Sequence, residues 1–166
     1  VGSEMCIRDR FKRTELPENV DELITQITES HADFFSNRGT YLKYISERPR
    51  VQIVSKTGLF SDAEMDLNVS RISREISESQ SNVWTHIISL KREDAQRLGY
   101  DSVENWIPLL RSERNFIAQQ MNIKPDNFRW YAAFHNESHH PHVHMVAYSV
   151  EPNEAFLNAD GISNIK

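Results

Sequence analysis

Five of the seven histidines in the chain fall within residues 135–144: His135, His139, His140, His142 and His144. Neutral imidazoles are nitrogen donors for divalent metals, so their spacing decides what chemistry is open to them. Side chains alternate along a strand, which puts His142 and His144 on one side and Val143 on the other. Aromatic and β-branched residues flank the cluster, Phe128 to Phe134 before it and Met145 to Tyr148 after it, and such runs read as strands. Between them Asn136-Glu137-Ser138-His139-His140-Pro141 is polar and ends in proline, a hairpin loop. Pro141 suits a loop end or the first position of a strand, because it has no N–H to give to a ladder. His135 then lies across the hairpin from His142 or His144. One register puts all three imidazoles on one face, with ring nitrogens within about 6 Å, and three histidines plus an open position form a catalytic metal site. The plainer alternative is a solvated loop, or histidines hydrogen-bonded within a sheet. His139 and His140 belong to the loop and are read as exposed, or at most as groups that support a ligand.

The rest of the chain has to hold that hairpin. A length of 166 residues suits one domain with a core of its own. No apolar run approaches the ~18–20 residues of a membrane span. The start, VGSEMCIRDR, is too short and polar for a secretory signal. A net charge of −5 gives no global basic field, so any contact with nucleic acid has to come from a local patch. The single cysteine, Cys6, excludes an internal disulfide and suits a reducing cytosol. Residues 1–10 resemble translated adaptor sequence and are read as a non-native extension, leaving 11–166 as the domain. The ending GISNIK falls where a helix begins, so the chain reads as cut there.

In order, apolar positions from Val20 to Phe35 predict an amphipathic helix over 18–36, broken by Asn37-Arg38-Gly39. Residues 40–47 predict a second helix with Thr40 as N-cap, stopped by Pro49; Tyr41 and Tyr44 share a face of it. A short strand and a glycine turn are expected over 51–60, then a helix over 62–79 with Leu67, Val69, Ile72 and Ile76 inward. Residues 82–90 alternate with both faces largely apolar, which predicts a central strand covered by helices. His86 within it reads as a hydrogen-bonded core residue. Lys91, Arg92 and Arg97 read as a solvated turn. Asp101-Ser102-Val103-Glu104 has the form of a capping box with Asp101 as cap, opening a helix over 102–121 that Pro108 should kink. Helices, a strand, a helix and a closing hairpin give an α+β fold on an antiparallel or mixed sheet.

At this point the residues carry a resemblance. His135, six residues, then His142-Val143-His144, between FRWYAAF and MVAYS, is similar to the histidine motif of conjugative relaxases, the HUH endonucleases. GLFSD (58–62), NVWTHIISLKREDAQRLGYD (82–101), LLRSERNFIAQQM (109–121) and FRWYAAFHNESHHPHVHMVAYS (128–149) resemble MobL-type relaxases of the MobP class. The likeness spans about residues 38–165. It implies a five-stranded antiparallel palm-like sheet flanked by helices, a divalent metal, Mg²⁺ or Mn²⁺, on His135, His142 and His144, and a catalytic tyrosine. Leu42-Lys43-Tyr44-Ile45-Ser46 matches the stretch that carries this tyrosine, which makes Tyr44 the nucleophile and Tyr41 its nearest competitor. Glu137, two residues after the first histidine, takes the place of a motif acid and is a candidate to bond a ligand's ring N–H. The first strand expected before the tyrosine helix is not recognisable in residues 11–36.

The implied activity is site- and strand-specific DNA nicking by tyrosine transesterification, which starts transfer of a plasmid or integrative element. A cation on three neutral imidazoles keeps its full charge to polarise the scissile phosphate. A phenol of pKa ~10 needs such a neighbour, or a base, to attack at neutral pH. Attack by Tyr44 would leave a 5′-phosphotyrosine and a 3′-hydroxyl. The resemblance also implies single-stranded origin-of-transfer DNA, relaxosome accessory proteins and a coupling protein as partners, and a bacterial cytoplasmic location. Trp130, Tyr131 and Tyr148 can stack on bases, although core packing accounts for each. Two other readings are a three-histidine hydrolase or oxygenase acting on a small molecule, and a non-catalytic DNA-binding or metal-storing domain.

Overall fold

The two strands that bracket the histidines form the centre of the sheet. A computed structural model describes residues 38–54, 56–62, 67–137 and 140–156; the helix expected over 18–36 lies outside them. In chain order the elements are α1 (Arg38–Glu47), β1 (Leu59–Phe60), α2 (Val69–Glu78), β2 (Val83–Ser89), α3 (Arg92–Leu98), α4 (Val103–Gln120), a 3-10 turn (Pro125–Asn127), β3 (Phe128–His135) and β4 (His142–Ser149). The fold is α+β, an antiparallel sheet ordered β1-β3-β4-β2 with helices on both faces. The resemblance implies five strands; four are present among the described residues.

Alternation along β3 and β4 divides two apolar layers. Phe128, Trp130, Ala132 and Phe134 of β3, with Val143, Met145 and Ala147 of β4, pack against Val103, Trp106, Leu110 and Ile117 of α4. Ala133, Val146 and Tyr148 face the other way, onto Tyr41, Leu42 and Ile45 of α1 and Ile72 and Ile76 of α2. Every residue of this second layer is nearly closed to solvent, so α1 is fixed against the histidine side of the sheet.

Several local expectations need correction. β2 is an edge strand among the described residues, not a central one, and pairs with β4 alone. Val83 packs with the layer of α1 and α2, and Trp84 and Ile88 with the layer of α4, so apolar residues stand on both faces of a strand that is mostly half-buried. α1 starts at Arg38, so Thr40, expected as its N-cap, lies inside the helix together with Gly39. A side chain at Gly39 would stand 2.5 Å from the Ser73 carbonyl oxygen, so this glycine lets α1 lie close on α2. α2 begins at Val69, with Asn68 as N-cap accepting the Arg71 N–H at 2.8 Å. The strand over 51–60 shrinks to β1 and a single bridge between Val51 and His135.

Asp101 does not cap α4. Ser102 holds the cap position without a side-chain bond there, and Gln52 accepts the Val103 N–H at 2.8 Å from another part of the chain. α4 runs on through Pro108. Arg114 reaches from α4 to Asp62 at 2.6 Å, and Trp130 donates to the same carboxylate at 2.9 Å, tying the end of β1 to helix and sheet.

Candidate metal centre and its tyrosines

The hairpin register makes the site. His135 stands opposite His142, and Ala133 stands opposite His144. Directly paired residues share a face, so His135, His142 and His144 project to the same side, the side that carries α1. The ring centroids stand 4.7 to 5.3 Å apart. One nitrogen from each ring can be chosen so that all three lie within 4.8 Å of one another. His135 and His144 are buried and His142 is partly so.

Each ring is oriented through its other nitrogen. His135 Nε2 lies 2.8 Å from the Ile45 carbonyl oxygen of α1; a carbonyl only accepts, so Nε2 carries the proton and Nδ1 keeps its lone pair. That Nδ1 is buried with no hydrogen-bond partner among the described residues. A buried acceptor without a partner is costly in a folded chain, and a cation is a fitting partner for it. His142 Nδ1 lies 2.9 Å from the His140 carbonyl oxygen, which by the same argument frees Nε2 for a ligand. His144 Nδ1 lies 3.0 Å from the Tyr41 hydroxyl, leaving its Nε2 on the side of the site. His142 Nε2 and His144 Nε2 are 3.1 Å apart. Two nitrogens bound at ~2.1 Å to one ion stand about 3.0–3.4 Å apart, so this pair already has ligand spacing. The donor set therefore fits a divalent metal ion.

Burial sets the charge state of the donors. It pushes the His135 pKa down to about 4, against a smaller opposing effect of the Ile45 hydrogen bond, and it also lowers His142. Neutral rings are the form that binds metal.

The two tyrosines of α1 differ. Tyr41 is buried, and its hydroxyl is engaged with His144; burial first, then Tyr44, raises its pKa well above the usual phenol value. Tyr44 is half-buried, and the Arg48 guanidinium lies 5.1 Å from its ring centroid. The rings of Tyr41 and Tyr44 have centroids 6.4 Å apart, so both belong to the wall of α1 that meets the hairpin. Glu137 is paired with Arg50 at 2.6 Å, and the ring N–H groups of His135 and His142 go to backbone carbonyls instead. Its charge still reaches the site, where it favours the protonated forms of His135 and His142.

His86 lies on the opposite face of the sheet, level with Met145, and takes no part in the trio. Its Nε2 is shut from solvent without a hydrogen bond among the described residues. Arg92, expected on a solvated turn, donates to the Asn136 side chain at 2.9 Å and to the Glu137 carbonyl oxygen, bracing the loop between the histidines. The reading from sequence missed Ile45 and Arg92. A backbone acceptor leaves no mark in residue type, and the arginine stands 44 residues from its partner.

Residues 7–166 match the family model described as MobL relaxases. Neither a curated protein nor a solved structure matches the chain. No helix among the described residues is long and apolar enough to cross a membrane.

Proposed function

The chain belongs to the MobL relaxase family, and on that premise we propose that it cuts one strand of origin-of-transfer DNA by metal-dependent tyrosine transesterification at the histidine centre. The family makes the chain a DNA relaxase in general terms; the ion, the nucleophile and the covalent step are our reading. A divalent ion, Mg²⁺ or Mn²⁺, on His135, His142 and His144 supplies Lewis-acid charge for the scissile phosphate. The observation that carries this is the buried, unpartnered Nδ1 of His135, on a ring that shares one face of the sheet with two further imidazoles.

The chain's own residues then divide the work. The Ile45 and His140 carbonyls hold two rings in the tautomer that presents a lone pair. Tyr41 braces the third and keeps its proton, because burial disfavours its phenolate. Tyr44 is the better nucleophile, being more accessible than Tyr41 and having the Arg48 guanidinium over its ring. Its oxygen bonds to phosphorus as the P–O3′ bond breaks. The phenol proton is lost, the leaving 3′ oxygen ends as a hydroxyl, and a 5′-phosphotyrosine remains. Glu137 acts on the histidines through its charge rather than through a direct bond. The partners we infer are single-stranded origin DNA, relaxosome accessory proteins and a coupling protein, in a bacterial cytoplasm.

The test is covalent. The chain is incubated with a labelled single strand carrying the origin of its own element, with Mn²⁺ present or removed by chelation. A metal-dependent adduct that Tyr44→Phe abolishes is expected. An adduct that persists in Tyr44→Phe would move the role to Tyr41, and no adduct under any condition would refute the reading.

A further inference from the structure

We propose that Arg48 is the phosphate-binding residue of the nicking site, its guanidinium stacked on Tyr44 and its edge holding the scissile phosphate beside the histidines. This deepens the reading of the site as a DNA-nicking centre and rests on it.

The first observation is placement. Arg48 follows α1 directly, three residues after Ile45, whose carbonyl holds His135. Its backbone is strapped to the end of β3. The Arg48 carbonyl accepts the Val51 N–H at 3.2 Å, Val51 bridges His135, and the Gln52 N–H donates to the Phe134 carbonyl at 3.0 Å. The turn that carries Arg48 is thus part of the same rigid unit as the first ligand.

The second is its contacts. The guanidinium carbon lies over the Tyr44 ring, 5.1 Å from the centroid. Stacking occupies the flat face of a guanidinium and leaves its N–H edge free, and that edge is the fork that fits two phosphate oxygens. Arg50, Arg97 and Arg114 each pair with a carboxylate, whereas Arg48 has no ion pair among the described residues although it is half-buried. A half-buried cation without a counter-charge calls for an anion.

The third is the charge around it. The Tyr44 ring under the guanidinium has its centroid 6.4 Å from that of Tyr41, and the Tyr41 ring centroid lies 6.2 Å from that of His144, so Arg48 stands on the wall that faces the histidines. The near carboxylate, Glu137, is taken by Arg50. Three neutral rings, a divalent ion and a guanidinium leave a site that stays cationic beside the Arg50–Glu137 pair and has room for an anionic ligand. The phosphodiester of a single strand is such a ligand.

A salt titration counts such contacts. Binding of a fluorescein-labelled, mixed-sequence single-stranded 20-mer to the Mn²⁺-loaded chain is followed by anisotropy over a range of NaCl. Each phosphate contact contributes about 0.7 to the slope of log K against log salt. Arg48→Gln should lower the slope by ~0.7, Arg48→Lys should keep the wild-type slope, and both should still bind Mn²⁺ as the wild type does by calorimetry. An unchanged slope in Arg48→Gln overturns the proposal, as does an equal loss in Arg48→Lys or a loss of Mn²⁺ binding, either of which would make the arginine structural. A wild-type chain that binds no strand would overturn the nicking reading and this proposal together; a wild-type chain that binds, with Arg48→Gln unaltered, would overturn this proposal alone.

Discussion

The Nε2 of His135 lies 2.8 Å from the backbone carbonyl oxygen of Ile45, so a hydrogen bond from the tyrosine-bearing helix α1 sets which nitrogen the first histidine turns to the site. Helix and hairpin are far apart in sequence, and this bond couples the metal centre to the residues that carry the nucleophile. Displacing α1 should therefore loosen the metal even though no ligand lies on that helix.

Gly39→Ala tests that coupling. A Cβ there would meet the Ser73 carbonyl at 2.5 Å and push α1 off α2. Overpacking of this kind costs about 1–3 kcal/mol. The expected outcome is a lower midpoint in urea unfolding, together with weaker Mn²⁺ binding by calorimetry.

Tyr41→Phe keeps the buried ring and removes only the hydroxyl that meets His144 at 3.0 Å. Loss of a group that orients a ligand typically costs 10–100-fold in metal affinity. Mn²⁺ affinity should fall within that range while the DNA adduct still forms at saturating metal, whereas Tyr44→Phe should leave affinity alone and remove the adduct.

Glu137→Gln breaks a pair that is partly open to solvent, with side chains 57% and 32% exposed. Such pairs are worth at most ~1 kcal/mol. Stability should change by no more than that, and Mn²⁺ affinity by only a few-fold, since the carboxylate acts at a distance. A loss of 100-fold would mean that Glu137 bonds to a ligand directly.

Acid should destabilise the metal-free chain through His86, with His135 and His142 adding to the loss in the same direction. Burial lowers the His86 pKa to about 4, from 6.5 in the unfolded chain. The unfolded state therefore binds the extra proton first, so stability is full above pH ~6.5 and is lost as the pH falls toward about 4. Thermal midpoints measured across that window should fall, and less steeply in His86→Leu. Because His86 sits on the face away from the trio, that variant should bind Mn²⁺ as the wild type does.

The hairpin was legible because strand alternation is strict: His142-Val143-His144 has only one way to present both rings, and the polar loop ending in Pro141 fixes where the chain turns. The sheet position of β2 was not legible, since apolar residues on both of its faces join the two layers, Val83 one and Trp84 and Ile88 the other, and that pattern does not reveal a missing neighbour. The role of Gly39 in letting α1 lie close on α2 was not legible either, because a glycine that permits close helix packing has the same letter as one in a turn. The cap on α4 comes from Gln52, 51 residues away, and no local pattern announces it. Tyr41 and Tyr44 were inseparable by spacing; burial and the His144 contact are what distinguish them.

The central claim is that three imidazoles share one ion. Pulsed electron paramagnetic resonance of the Mn²⁺-loaded chain, with histidine nitrogens labelled, counts them directly. The account predicts one Mn²⁺ per chain coupled to three histidine nitrogens, falling to two in His135→Ala, His142→Ala or His144→Ala. An ion coupled to fewer than three in the wild type, or a count unmoved by His135→Ala, would contradict it.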